Sequence, residues 1–246
     1  MSEALLASFT QPQAFDSEQL GRPVVRLAPA IAEHPERLRQ ETAAWRRGGV
    51  WLASLRLLAE RAAGCEDVLA EHGFRRIETL VTFERSTAAP PPAVYPVERA
   101  TREDGHEAIA IARSAFRYDR YHADPLVPNA AADRLKGAWV ANSLAGRAEA
   151  VLVARWDGRV AGFVTLMQTA EAGVIDLVAT APAAQGRGIG RALVAASLAF
   201  VAGRRPRLRV ATQADNVASQ RLYRGCGFAE VARQATYHWV NPELAR

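Results

Sequence analysis

The sequence predicts an α/β (α+β) fold, a mixed and mostly antiparallel sheet flanked by helices, with a smaller α/β unit ahead of the main one. Three observations carry this. A glycine-rich turn, Gln185-Gly186-Arg187-Gly188-Ile189-Gly190, joins an apolar run at 174–180 to a helical run at 191–201. From residue 95 to residue 240, stretches with strand periodicity alternate with stretches of helical periodicity. Residues 86–93 have no periodicity, and their three prolines hold the chain extended and outside any helix or sheet interior. The expected division is therefore 1–85, a linker at 86–94, and a main unit at 95–246.

In the first part, residues 50–55 read as a strand, 66–71 as a helix ending at Gly73-Phe74, and 75–84 as a strand. This unit echoes residues 208–239. Gly73-Phe74 falls opposite Gly227-Phe228 and Leu69 opposite Tyr223, but the copy has neither the tyrosine nor a glycine-rich loop. It reads as a degenerate half of the larger unit, supporting the sheet or shaping a pocket.

Beyond the linker, residues 95–99 read as a strand and 103–116 as an amphipathic helix with Ile109, Ala112 and Phe116 on one face. An aromatic and charged loop follows at 117–128. Asn129 is the expected cap of a second helix reaching about Ser143, with Leu135, Trp139 and Val140 inward. Asp157-Gly158 is a hairpin signal between strands at 148–156 and 159–169. A strand at 208–212 and a helix opened by Asn216 and closed by Gly225-Cys226-Gly227 complete the order.

The glycine-rich turn has the makings of an anion site, because glycines let the backbone approach an oxyanion and the first turn of a helix has unpaired N–H groups. It lacks the Gly-Lys-Ser/Thr ending of a P-loop and the spacing of a dinucleotide fingerprint. Gln185-x-x-Gly188-x-Gly190, together with Asn216-x-x-Ser219-x-x-x-Tyr223-x-x-x-Gly227-Phe228, instead resembles the Gcn5-related N-acetyltransferase (GNAT) superfamily. Element order extends that resemblance over residues 95–240. The resemblance implies an acetyl-CoA cofactor, its pantetheine arm along Val178, Ala179 and Thr180. Its diphosphate would lie on Gln185, Gly186, Arg187, Gly188, Ile189, Gly190 and Arg191, with Asn216, Ser219 and Tyr223 beside it. A main-chain N–H near Val178 or Ala179 would meet the thioester carbonyl, and Tyr223 would protonate the departing thiolate.

Two stretches narrow the resemblance. Phe15-Asp16-Ser17-Glu18-Gln19-Leu20-Gly21-Arg22-Pro23-Val24 and Asp119-Arg120-Tyr121-His122-Ala123-Asp124, with Trp139-Val140-Ala141-Asn142-Ser143, are similar to elements of the dTDP-fucosamine acetyltransferase subgroup. Phe15, Leu20 and Arg22 depart from that subgroup's pattern. The implied acceptor is a small-molecule amine, a nucleotide-linked amino-deoxysugar, met by Arg120, Tyr121, Asp124, Trp139 and Asn142. Alanine at 211 stands where some relatives carry a glutamate, which leaves Asp176 and His122 as candidates for the base. Acetylation of another amine (an aminoglycoside, a polyamine or a protein N-terminus) and a non-catalytic acyl-CoA-binding module remain the alternative readings.

The 246 residues have a formal charge of +5 and 49% hydrophobic content, enough for one large core or two modest ones. The arginines are scattered through both halves rather than massed, which speaks against a nucleic-acid partner, and Lys136 is the one lysine. Cys65 and Cys226 are too few for a disulfide framework or a zinc site, so no metal is expected. No apolar stretch is long enough to span a bilayer, so a cytoplasmic protein without a membrane partner is expected. Apolar strand edges at the C-terminus make a homodimer conceivable.

Overall fold

The computed structural model describes residues 9–92 and 94–244. The outer ends of the expected units, at 1–8 and 245–246, and Ala93 in the expected linker lie outside the described residues. The chain forms β1 (Thr10–Pro12), α1 (Ala14–Leu20), β2 (Val24–Leu27), α2 (Pro35–Arg47), β3 (Leu52–Leu58), α3 (Ala59–Ala62), α4 (Glu66–Glu71) and β4 (Phe74–Ser86). After the proline-rich stretch come β5 (Glu98–Arg99), α5 (Gly105–Ala115), α6 (Arg120–Ala123), α7 (Asn129–Asn142), β6 (Ala150–Trp156), β7 (Arg159–Gln168) and β8 (Gly173–Thr180). Then α8 (Ile189–Val201), β9 (Arg207–Gln213), α9 (Val217–Gly225) and β10 (Ala229–Val240) complete it.

Local chemistry accounts for several boundaries. Asp157 and Gly158 both take positive φ, 52° and 74°, the pair of left-handed residues that a tight β6–β7 hairpin requires. Asn216 caps α9 by accepting from the Ser219 N–H at 3.1 Å. Asn129, expected as a cap, is instead the first helical residue, and Pro128 occupies the cap position, where a fixed φ suits helix entry.

Among the described residues, all ten strands lie in one sheet, in the order β1-β2-β3-β10-β4-β9-β8-β7-β6-β5. The stretches before and after the proline-rich segment interleave in it. β10 pairs with both β3 and β4, and β4 pairs with both β10 and β9. The C-terminal strand, expected as an exposed edge, is therefore interior. The edges are β1 and β5, three and two residues long, which offer little backbone for another chain to pair with.

The echo seen in the sequence extends further than expected. The run β2, α2, β3, α4, β4 repeats the run β8, α8, β9, α9, β10, and α2 and α8 are both 13 residues long. β4 and β10 lie antiparallel with Leu80 opposite Gln234. Leu80 stands as far beyond Phe74 as Gln234 stands beyond Phe228, so an approximate twofold axis passes through that pair. Where the second copy has Gln185-Gly186-Arg187-Gly188 before its helix, the first has Ala32-Glu33-His34 before Pro35, with no glycine and with one acidic residue, Glu33, that would repel an anion.

Helices cover both faces. Leu38 and Trp45 of α2, Leu69 of α4, Leu193 and Leu198 of α8 and Tyr223 of α9 pack on one side, with Val81, Phe83, Ala235 and Trp239 of the sheet. On the other, Leu20 of α1, Ala112 of α5, Tyr121 of α6 and Leu135 and Val140 of α7 pack on Leu52, Phe163, Leu177 and Val240. Burial of these side chains, at about 1.5–3 kcal/mol each, holds the layers together. Among the described residues, no helix is long and apolar enough to cross a membrane.

Candidate active site

β8 and β9 run parallel and pair only from Gly173 opposite Leu208 to Ile175 opposite Val210. Beyond that point the strands part. At the same point β8 carries a bulge: Ile175 faces Leu166 and Leu177 faces Thr165, so Asp176 is an extra residue with no partner on β7. The bulge shifts the alternation of side chains by one. Ile175 packs on the α8 side, Leu177 and Ala179 pack with α5 and α7, and Val178 returns to the α8 side. Asp176 is left pointing toward α7, where its Oδ2 accepts from Arg147 Nη1 at 2.7 Å.

A groove of about 690 Å³ opens on one side of the wedge. Its walls are Val178, Ala179 and Thr180 of β8, the Gln185–Arg191 stretch except for Arg187, Asn216, Ser219 and Tyr223, and the Phe116–Asp119 segment after α5. Gly186 and Gly188 have φ of 76° and 80°, with open space where a Cβ would stand. The chain thus turns its amides outward just where α8 begins, and the first N–H groups of that helix have no carbonyl one turn earlier to bond. A diphosphate fits this cradle, and the neighbouring strand end fits an extended arm. Arg191 packs close to Gly225 at the end of α9, bringing positive charge to the same wall.

Tyr223 is 3% exposed, its ring against Phe83 and Phe228. Burial raises its pKa well above the ordinary phenol value, with Ser219 opposing this weakly. The hydroxyl therefore keeps its proton throughout the neutral range.

A second cavity, of about 560 Å³, lies across the sheet from β8 toward β2 under α1, α6 and α7. Asp176, Arg120, Trp139 and Asn142 from the sequence reading line it. So do residues that the sequence reading did not single out as site residues, Asp16, Arg26, Arg56 and Arg147. Asp16 organises one wall. It accepts from Tyr121 Oη at 2.6 Å, Trp139 Nε1 at 3.1 Å and Arg120 Nη2 at 3.4 Å, tying α1 to α6 and α7. The Phe15-Asp16-Ser17 stretch was the available signal for Asp16. Nothing local marks Arg26, Arg56 or Arg147 among 30 arginines.

Residues 118–228, which contain the wedge, the glycine turn and Tyr223, match the Acetyltransferase (GNAT) family. This segment is a GNAT acetyltransferase domain. The chain is 33% identical over 140 residues to the spore coat polysaccharide biosynthesis protein SpsD of Bacillus subtilis, a match covering 56% of this chain and 48% of that protein. It thus spans about half the length of that curated relative. Among solved structures, a GCN5-related N-acetyltransferase from Sphaerobacter thermophilus superposes with a TM-score of 0.61 at 17% identity, covering 91% of this chain and 74% of the other. A GCN5-related N-acetyltransferase from Kribbella flavida does so at 0.59 and 20%, covering 91% and 83%. A tandem GNAT protein from the clavulanic acid biosynthesis pathway gives 0.60 at 14%, covering 90% and 76%. These likenesses reach beyond the matched segment into the first half of the chain, and they show a shared fold.

Three expected site residues, the base candidate His122 and the acceptor contacts Tyr121 and Asp124, line neither cavity. His122 is 2% exposed, with Nδ1 against Asp119 at 2.5 Å and Nε2 against Asp133 at 3.0 Å, and it lines neither cavity. Burial disfavours its charge, but the two carboxylates outweigh that and raise its pKa. Asp124 is buried between Arg75, at 2.7 Å, and His238, at 2.9 Å. Tyr121 is buried and turns its hydroxyl to Asp16. Asp124 ties α6 to the sheet, Tyr121 ties it to α1 and His122 to α7, and together they fix Arg120. Trp156 is 44% exposed at the hairpin, with Arg187 stacked 4.3 Å from its ring centre.

Proposed function

We propose that the protein transfers an acetyl group from acetyl-CoA to the primary amine of an amino-deoxysugar linked to a nucleoside diphosphate. The observation that carries this is Asp176, set by the bulge at the wedge that the glycine-turn groove flanks, and lining the arginine-bearing cavity. Acetyl-CoA supplies the acyl thioester. The amides of 186–191 would hold its diphosphate, and a main-chain N–H near Val178 or Ala179 would meet the thioester oxygen. Asp176 takes the proton that the amine loses as its nitrogen bonds to the acyl carbon. Tyr223 gives a proton to the sulfur as the carbon–sulfur bond breaks. The products are an N-acetyl sugar and free thiol.

The cavity lining supports an anionic acceptor, because Arg26, Arg56, Arg120 and Arg147 face two carboxylates, Asp16 and Asp176. A polyamine or aminoglycoside would meet repulsion there. The polysaccharide biosynthesis role printed for the Bacillus relative supports a sugar acceptor as well. Thiol release from acetyl-CoA, assayed with nucleotide-linked aminosugars, free aminosugars, polyamines and peptides, tests the reading. Release with the first class is expected. Release with cationic amines alone, or cofactor binding without release in any case, would replace it with another acceptor or with a binding module.

A further inference from the structure

The second cavity is elongated, and its two ends come from the two copies of the repeated unit. Asp176 stands on β8, Thr236 and Gln234 on β10, Arg56 on β3 and Arg26 on β2. Strand order separates β8 from β2 by five steps, β8-β9-β4-β10-β3-β2, or about 24 Å at about 4.8 Å per step. A free sugar would occupy only the β8 end of such a trough.

The β2 end has its own wedge. β2 and β3 run parallel and pair from Val24 opposite Leu52 to Arg26 opposite Ser54, then part, as β8 and β9 do in the other copy. Without glycines before α2, this wedge has no amide cradle for a cofactor. It has guanidinium groups instead. Arg56 shares Glu78 with Thr236, donating from Nη2 at 3.3 Å. Arg26 is exposed and donates to the neutral Gln13 side chain at 2.8 Å. The Arg56 pKa is lowered by burial first and then by the charge of Arg120, with Arg26 adding to this, so the three cations feel one another. Arg120 Nε is buried and has no hydrogen-bond partner among the described residues. Asp16, Asp176 and Glu78 are engaged by Arg120, Arg147 and Arg56, which leaves Arg26 as the uncompensated cation of the lining, at the β2 end.

We propose that Arg26 and Arg56 of the N-terminal copy, with Arg120 across the trough, grip the diphosphate of the acceptor, so that the degenerate copy serves as the carrier-binding half. The site rests on the acceptor reading given above. With the amine at Asp176, the diphosphate lies over β10 and β3, and the nucleoside reaches Phe15 and Pro29 at the β2 end. A diphosphate compensates Arg26, whose side-chain partner is neutral, and guanidinium forks match its paired oxygens.

The test uses Arg26→Ala, at an exposed position where folding is not at stake, and Arg56→Lys, which keeps the charge near Glu78 but removes the fork. Titration calorimetry with thymidine diphosphate and with uridine diphosphate, at saturating coenzyme A, reads the site without turnover. Kd is expected to rise about tenfold in each variant while coenzyme A affinity holds. In the acetyl-transfer assay, the preference for a nucleotide-linked aminosugar over the same sugar without its nucleotide is expected to fall by about the same factor. Absence of nucleoside diphosphate binding in the wild type, or unchanged Kd in both variants, overturns the clamp. Intact diphosphate binding without acetyl transfer to any acceptor would instead overturn the acetyl-transfer reading and leave the clamp standing.

Discussion

Arg147 Nη1 meets Asp176 Oδ2 at 2.7 Å, joining the segment after α7 to the bulge of β8 at the mouth of the wedge. The pair holds the carboxylate in the cavity while the bulge removes it from the sheet's alternation. Asp176→Asn keeps the shape and loses the proton acceptor. We expect kcat/KM to fall by about 100-fold, with coenzyme A affinity unchanged. A variant as active as the wild type across the pH range would assign the proton to another group.

Tyr223→Phe removes one oxygen from a ring packed between Phe83 and Phe228, so the fold should persist. Loss of the acid should lower kcat by about 100-fold at saturating substrate with KM little changed. Because burial raises the phenol pKa, wild-type activity should show no loss of this acid up to about pH 9. Unchanged kcat in the variant would leave Tyr223 a packing residue.

Gly188→Ala meets no neighbouring atom but forces a side chain into φ of 80°. The expected cost is about 1 kcal/mol of stability, with weaker coenzyme A binding as the amides turn away. Gly162→Ala acts from underneath, since its Cβ would stand 2.9 Å from the Ala179 carbonyl oxygen and push the strand end outward. Calorimetry should find both variants weakened for coenzyme A. Normal binding by both would relocate the cofactor.

His122 makes stability pH-dependent in a definite direction. Its folded pKa is raised by Asp119 and Asp133 against the cost of burial, so its contribution is complete below the unfolded value of about 6.5. It is lost as pH rises through the folded pKa. Wild-type Tm should therefore drop between neutral and alkaline pH more steeply than that of His122→Gln. Parallel Tm curves would show that the ring is not charged in the folded protein.

Asp124 works at the other end of the scale. Burial would raise its pKa, but hydrogen bonds from His238 and Arg75 dominate and lower it to about 2. Its contribution, about 2 kcal/mol for a fully buried carboxylate, is present above the unfolded pKa near 4 and is lost as pH falls toward 2. Urea denaturation at pH 3 and pH 6 should show a smaller difference for Asp124→Asn than for the wild type. An equal difference would place the acid sensitivity elsewhere.

The amino-acid sequence by itself determined the elements whose chemistry is local. The glycine turn before α8, the Asp157-Gly158 hairpin and the Asn216 cap each depend on backbone conformations and hydrogen bonds within a few residues, so composition and spacing suffice. The repeated strand, helix and Gly-Phe unit was visible for the same reason, but only in its second half. Tertiary structure alone decided how the two copies interleave, because strand partners are chosen by non-local packing. It also decided the register of β8: one extra residue turns Asp176 into the cavity, and no local signal distinguishes a bulge from a regular strand. His122 and Asp124 were expected at the site because the 119–124 stretch resembles the subgroup's loop, yet their partners, Asp133 in α7 and His238 and Arg75 in the sheet, draw them inward. Arg26, Arg56 and Arg147 became neighbours of a single trough only when segments far apart in the chain met across one sheet.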